Sequence, residues 1–268
     1  MREETLEICT KIGCSVSCLK YCPQEIITTQ YSGKRLLSLE SFKALIASVP
    51  SNVTIIFSGV AEPFLNQDCI SMIEYAHEKG HAIRIFSTLV GLKPEDANRL
   101  IRIPIEAFTL HLPDAEGNAK ISLTQDYYES LGIILTGIHN ISFMNMGNNF
   151  TSLKHEDFFR GNPRKPKKYF PVCHRQYDPN FLVHPNGDTY FCCQTRGLTE
   201  RIGNLFQQTY PEIVKTFPSY SKKMRSDPNS ICRYCGQSVP WWYYTLSEVK
   251  RKYYGNKLFR DILSDSFT

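Results

Sequence analysis

Ten cysteines in 268 residues, nine of them gathered at two places, constrain this chain more than any other feature. Cys9, Cys14, Cys18 and Cys22 open the chain. Cys173, Cys192, Cys193, Cys232 and Cys235 lie in its last third, and Cys69 sits alone between. The first ten residues carry Arg2, Glu3, Glu4 and Glu7 and hold no apolar signal core. No apolar run approaches the ~20 residues that a membrane span needs. These features predict a cytoplasmic chain, where thiols stay reduced and stable disulfides are rare, so ten thiols point to metal or redox chemistry. A content of 42% hydrophobic and 21% charged residues is that of a globular protein rather than a disordered one. The formal charge of +5 admits an anionic ligand but does not by itself indicate nucleic acid.

Between the two cysteine groups the chain alternates strands and helices. Strands are expected at Leu6–Lys11, Val53–Phe57, Ala82–Phe86, Ala107–Leu112 and Ile141–Met144. Ser38 should cap a helix carrying Leu39, Phe42, Leu45 and Ile46, and Pro94 should stand in the first turn of another. Leu123 to Ile138 supplies a further helical face. Such alternation implies parallel strands joined by right-handed crossovers. A closed eight-unit barrel takes about 250 residues, more than the alternating pattern spans. The expected class is therefore α/β, a partial, open parallel β/α barrel of about five to six strands, with a small C-terminal unit made of a β-hairpin and helices. Active sites in such folds sit at the C-terminal ends of the strands, which is where the first cysteine group falls.

The expected organisation is a barrel over 1–150, a basic linker over 151–172, an auxiliary unit over 173–240 and a helical segment over 241–268. Arg160, Arg164, Lys165, Lys167 and Lys168 read as solvated linker charges. Asn186-Gly187 is a hairpin turn between 181–184 and 189–192. Two short helical stretches are expected near Tyr210–Phe217 and Tyr220–Arg225. The run Trp241-Trp242-Tyr243-Tyr244 should pack the C-terminal segment onto the core.

Cys14, Cys18 and Cys22 place three thiols on one tight loop. Three close cysteines suit a 4Fe-4S cluster whose last iron is open to an external ligand, whereas structural zinc asks for four protein ligands. Cys9, inside a strand, is expected to pack. Cys173, Cys192, Cys232 and Cys235 make a four-thiolate set that could hold zinc or an iron–sulfur cluster. Cys193 rivals Cys192, since neighbouring strand residues face opposite ways.

Here the chain resembles the radical S-adenosylmethionine (radical SAM) superfamily, whose pattern C-x-x-x-C-x-Φ-C follows the first strand. Tyr21 stands in the aromatic position before Cys22 and Pro23 follows it, while Leu19, Lys20 and Tyr21 make the second gap one residue longer than usual. Ser58-Gly59-Val60-Ala61-Glu62-Pro63 resembles the family's G-G-E-P element, whose backbone contacts the amino group of SAM. Ala61 stands where that element has glycine. Ser87-Thr88-Leu89 resembles the segment near the ribose or methionyl end of SAM. His111 and Asn145, at the ends of the fourth and fifth strands, point to the same rim as SAM or substrate contacts.

The second group resembles the SPASM/Twitch extensions of that superfamily, which carry a cysteine, then G-x-x-x-x-C on a hairpin, then C-x-x-C. Gly187 precedes Cys192 at that spacing, which selects Cys192 over Cys193, and Gly203-Asn204 matches a further element. With no cysteine after Cys235 the extension looks like the shorter Twitch type, with one fully ligated auxiliary cluster. In layout and size the chain is similar to the radical SAM dehydrogenases of aminoglycoside biosynthesis.

The resemblance implies two 4Fe-4S clusters, SAM as cofactor and an external electron donor such as flavodoxin or ferredoxin. It implies reductive cleavage of SAM to a 5′-deoxyadenosyl radical that abstracts hydrogen from a small-molecule or peptide substrate. A net two-electron oxidation assisted by the auxiliary cluster is the expected outcome. The alternatives are a peptide- or protein-modifying maturase of the same superfamily, a non-catalytic metal-binding module, and a nucleic-acid-associated protein. Three thiolates on a core of about +2 give about −1 and four give about −2. The holoprotein then carries less positive charge than +5, which argues against nucleic acid.

Overall fold

The computed structural model describes residues 4–16, 18, 22, 24–112, 121–145, 166–169, 171–173, 176–235 and 237–247. Tyr21, Arg160, Arg164, Lys165, the side chain of Asn145 and the segment beyond residue 247 lie outside them.

Five parallel strands follow the expected order: β1 (Thr5–Cys9), β2 (Thr54–Ser58), β3 (Ile83–Ser87), β4 (Ala107–Leu112) and β5 (Ile141–Asn145). Each lies within a residue or two of the apolar run that predicts it. They are joined by α1 (Gln24–Gln30), α2 (Leu39–Ile46), α3 (Cys69–Glu78), α4 (Pro94–Leu100) and α5 (Gln125–Gly137). Ser38 caps α2 by accepting from the Ser41 amide, and Pro94 occupies the first turn of α4. Both devices satisfy or remove amides that a helix start leaves unpaired.

The auxiliary region carries β6 (Pro171–Val172), β7 (Asn180–Val183), β8 (Asp188–Tyr190), β9 (Arg201–Asn204), α6 (Tyr210–Ser226) and β10 (Val239–Pro240). Its hairpin does not form a separate sheet. β7 pairs in parallel with β1, register Thr5 to Asn180, so one eight-stranded sheet runs β5-β4-β3-β2-β1-β7-β8-β9. Six of its strands are parallel, and β8 and β9 close antiparallel. A buried hydrogen bond of 2.8 Å from the Thr5 hydroxyl to Asn180 Oδ1 fixes the seam.

The Asn186-Gly187 turn forms as expected, with Gly187 at φ +82. A Cβ there would meet the Phe206 ring and Asn204 Oδ1. Asn204 explains the Gly203-Asn204 signal physically. Its amide donates to Asn186 O and Asp188 Oδ1 and accepts from the Phe206 amide, clamping the turn.

Two sequence expectations change. The helical stretches around 210–225 are one helix, α6, which runs through Pro218. A proline removes one amide donor from a helix, and burial of Tyr210, Ile213, Phe217, Ser221 and Met224 offsets that loss. The C-terminal aromatic run packs through Tyr244, which stacks on Tyr177 at 5.2 Å, while Trp241 and Trp242 remain 62% and 53% exposed. Among the described residues no helix is long and apolar enough to cross a membrane.

Candidate functional site

The main cavity, about 310 Å³, opens at the C-terminal ends of the parallel strands. Cys14, Cys18 and Cys22 line it together with Ser58, Gly59, Val60, Ala61, Glu62, Thr88 and His111. The structure therefore gathers three motifs that lie up to a hundred residues apart. The three cysteines pack around Val16, which is 1% exposed, and the Cys22 amide donates to Cys18 O at 3.0 Å. Gln24, at the start of α1, ties this loop to the next motif: its side-chain amide donates to Cys22 Sγ at 3.4 Å and to Val60 O.

The segment after β2 is held by its own acid. Glu62 is buried and accepts from Ser87 Oγ at 2.6 Å, and from the Thr88 amide and hydroxyl at 2.7 Å each. Burial raises its pKa, against the pull of these donors. Its carboxylate is thus committed to bracing the end of β2 against the end of β3. A ligand in the cavity meets this segment along residues 58–63. Gly59 has φ +102, and a Cβ there would lie 2.9 Å from the Cys9 Cα, so glycine is required where this segment crosses β1.

Ser87 departs from its expected role. It is buried behind Glu62, bonds to Glu62 and the Leu89 amide, and does not line the cavity. Thr88 does. His111 packs against Phe86 with ring centroids 6.1 Å apart, and its Nε2 has no partner. Burial pushes its pKa down to about 4, so it is neutral at physiological pH.

The second cysteine set surrounds its own smaller cavity, lined by Cys173, Cys192, Cys232 and Cys235. The two adjacent cysteines line different cavities, although the Cys193 thiol is close enough to Cys235 to help raise its pKa. Cys192 borders this cavity, while Cys193, at the start of the 3₁₀ turn Cys193–Thr195, borders the main one. Cys193 is buried, as a packing residue should be, yet it faces the chamber of Cys14, Cys18 and Cys22. Burial raises the thiol of Cys232 and pushes Cys235 up to about 11, so metal binding there would release protons.

Lys167, expected among the solvated linker charges, instead anchors the C-x-x-C turn. Its ammonium donates to Cys235 O at 2.6 Å, to Ser238 Oγ at 2.9 Å and to Ser238 O. Lys168 is exposed. Cys9 and Cys69 are fully buried and pack in the core.

Sequence reasoning missed several cavity residues. Glu7, Phe86 and Met144 come from strands whose inward face follows the period of two, and an acid inside the apolar run of β1 was the available signal. Gln194, Arg196 and Gln237 enter from the auxiliary region and carry no local motif.

The donor sets suit iron–sulfur chemistry. Each is thiolate-only, one with three cysteines beside open space and one with four. Among the described residues no three Cys, His, Asp or Glu side chains converge closely enough to share a single metal ion.

Residues 173–236 match the model of the SPASM family, an iron–sulfur cluster-binding domain. No curated protein sequence matches the chain. Among solved structures the chain is similar to BtrN in complex with AdoMet and 2-DOIA, with a TM-score of 0.66 and 14% identity over 90% of this chain and 94% of that one. It is also similar to anSMEcpe with bound AdoMet (TM-score 0.53, 13% identity, 88% of each chain). A third similar structure is Streptococcus suis SuiB bound to S-adenosylmethionine (TM-score 0.51, 12% identity, 87% of this chain and 72% of that one). At these identities the likeness establishes the fold.

Proposed function

We propose that this chain, whose fold is that of radical SAM enzymes and whose residues 173–236 form a SPASM-type domain, is itself a radical SAM enzyme that oxidises a C–H-bearing substrate. One observation carries the reading. Cys14, Cys18 and Cys22 share a single strand-end cavity with residues 58–62 and with Thr88.

Cys14, Cys18 and Cys22 would hold a 4Fe-4S cluster with an iron left for SAM, and Cys173, Cys192, Cys232 and Cys235 would hold a second. Together these groups would supply one-electron cleavage of SAM, hydrogen-atom abstraction and an acceptor for the substrate's second electron. The protein's own residues do the rest. The 58–61 backbone and Thr88 orient the cofactor, and the Glu62 brace keeps that cradle rigid before anything binds. Phe86, Ile56 and Met144 form an apolar wall that excludes water from the reacting carbon. His111, neutral and with its Nε2 unpartnered, offers a hydrogen bond to the substrate without adding charge to the cavity. The separation of Cys192 and Cys193 supports the oxidative outcome. A ligand of the auxiliary set and a residue facing the substrate are chain neighbours, so the acceptor borders the reaction chamber.

The test is anaerobic purification, iron and sulfide analysis, reduction and addition of SAM. About eight irons per chain and release of 5′-deoxyadenosine are expected. Zinc without iron, or an iron-loaded protein that leaves SAM intact, would refute the reading.

A further inference from the structure

Arg196 occupies a backbone conformation that glycine normally fills, with φ +54 and ψ +18, just after the Cys193–Thr195 turn. A non-glycine residue in that region carries strain of about 1–2 kcal/mol. Its Nε is buried and has no hydrogen-bond partner among the described residues, while the residue as a whole is half-buried. The side chain lines the main cavity. Beside it, Gln194 donates to Cys193 Sγ at 3.6 Å and leaves its buried carbonyl Oε1 unpartnered. A strained backbone and a buried, unpartnered Nε at one residue call for a compensating acceptor, and the cavity that Arg196 lines can supply it.

Three acceptors could compensate. The auxiliary cluster is one, but the cavity bordered by its four cysteines includes Gln194 and not Arg196. The carboxylate of SAM is the second. The third is the substrate. Arg196 enters from the auxiliary region, while the cysteine loop and the 58–62 segment that would hold SAM belong to β1 and β2.

We propose that Arg196 is a specificity-determining residue that receives an anionic group, carboxylate or phosphate, of the substrate, with Gln194 Oε1 accepting from a neighbouring hydroxyl or amine. A guanidinium binds such groups through paired parallel hydrogen bonds. The proposal rests on the radical SAM reading for its chemistry but not for its binding test.

Anaerobic calorimetry on the SAM-loaded holoprotein uses pyrophosphate, inorganic phosphate and succinate as probes, with glycerol as the neutral control. Succinate and the phosphates separate the two anion classes. At least one anion is expected to bind the parent, and glycerol is not. Arg196→Gln should weaken that anion at least tenfold more than it weakens SAM, and Arg196→Lys should fall between. Arg196→Gly, which releases the strain, should melt no lower than the parent while losing the anion. No anion binding to the parent, unchanged binding in Arg196→Gln, or equal loss of SAM and anion would overturn the proposal. So would an Arg196→Gly variant melting several degrees below the parent, since that would make the arginine structural. A parent that binds anions but never cleaves SAM would refute the enzymatic reading and leave this site standing.

Discussion

His184 makes the folded protein acid-sensitive by an amount that can be worked out. Its ring is 1% exposed and lies between Tyr31 at 5.5 Å and Tyr190 at 4.9 Å, against the face of Gly197. Neither ring nitrogen has a partner. Burial pushes its pKa down from 6.5 to about 4, against a weaker upward pull from Asp188. The unfolded chain takes up a proton near pH 6.5, while the folded chain resists protonation until about pH 4. Stability is therefore lost as pH falls through that window and is fully present above it. At pH 5.5 the difference is one unit of titration, so His184 alone removes about 1.4 kcal/mol relative to pH 7.5. For a chain of this size that corresponds to about 3–5 °C in melting temperature.

The assay is anaerobic thermal melting at pH 7.5 and pH 5.5 on the parent and on His184→Phe, which keeps an aromatic ring without a titrating group. His184→Leu guards against a packing artefact of phenylalanine. Cluster lability in acid and the downward-shifted His81 and His111 are common to all three proteins and cancel in the comparison. Both variants should lose about 3–5 °C less than the parent between the two pH values. Variants that lose as much as the parent would refute the assignment and place the acid sensitivity elsewhere.

Other perturbations have equally direct readouts. Cys192→Ala should halve the iron content while Cys193→Ala leaves it at the parental level, measured by iron analysis and the visible spectrum. The reverse result would exchange their roles. Gly59→Ala places a Cβ against the β1 backbone and forces a positive φ on alanine. It should cost about 2 kcal/mol or more, seen as lowered melting temperature and weakened SAM binding. Lys167→Met removes three donated hydrogen bonds from the C-x-x-C turn. It should cost about 2 kcal/mol and accelerate loss of auxiliary iron to a chelator, with the three-cysteine site unaffected.

Much of the barrel was legible because each parallel strand is an apolar run bounded by turn residues, as Val53–Phe57 and Ala107–Leu112 show. Helix α1 carried no such signal. Gln24–Gln30 has one buried side chain, Ile27, and two threonines whose hydroxyls bond back to helix carbonyls. Docking rather than propensity holds it, through Gln24 on the cysteine loop. The stretches expected at Tyr210–Phe217 and Tyr220–Arg225 fuse instead, since the local cost of Pro218 is overridden by the buried face of α6. The cysteine motifs were legible because ligand spacing is local. The Glu62 brace was legible only as two separate motifs, because the bonds to Ser87 and Thr88 span twenty-five residues and more. Arg196 and Gln194 had no sequence signal at all. Their place at the cavity follows from a three-residue turn whose direction depends on which of two adjacent cysteines faces inward.

That direction is set by the seam between β1 and β7. β1 leads into the Cys14–Cys22 loop, and β7 leads through the hairpin to Cys192. Their parallel pairing over Thr5–Ile8 and Asn180–Val183 therefore fixes one cysteine set relative to the other by ladder hydrogen bonds, independently of the segment between 145 and 166. A unit tethered only by a linker could swing, and the chamber would then change with it. A unit that donates a strand to the barrel cannot move without breaking the sheet. The consequence reaches the chemistry proposed above. Cys193 and Arg196 line the main cavity because their turn follows strands joined to the barrel sheet, so the proposed substrate recognition and the proposed second cluster would be carried by the same turn. Separating those two properties by mutation requires changes within Cys192–Arg196, one residue at a time.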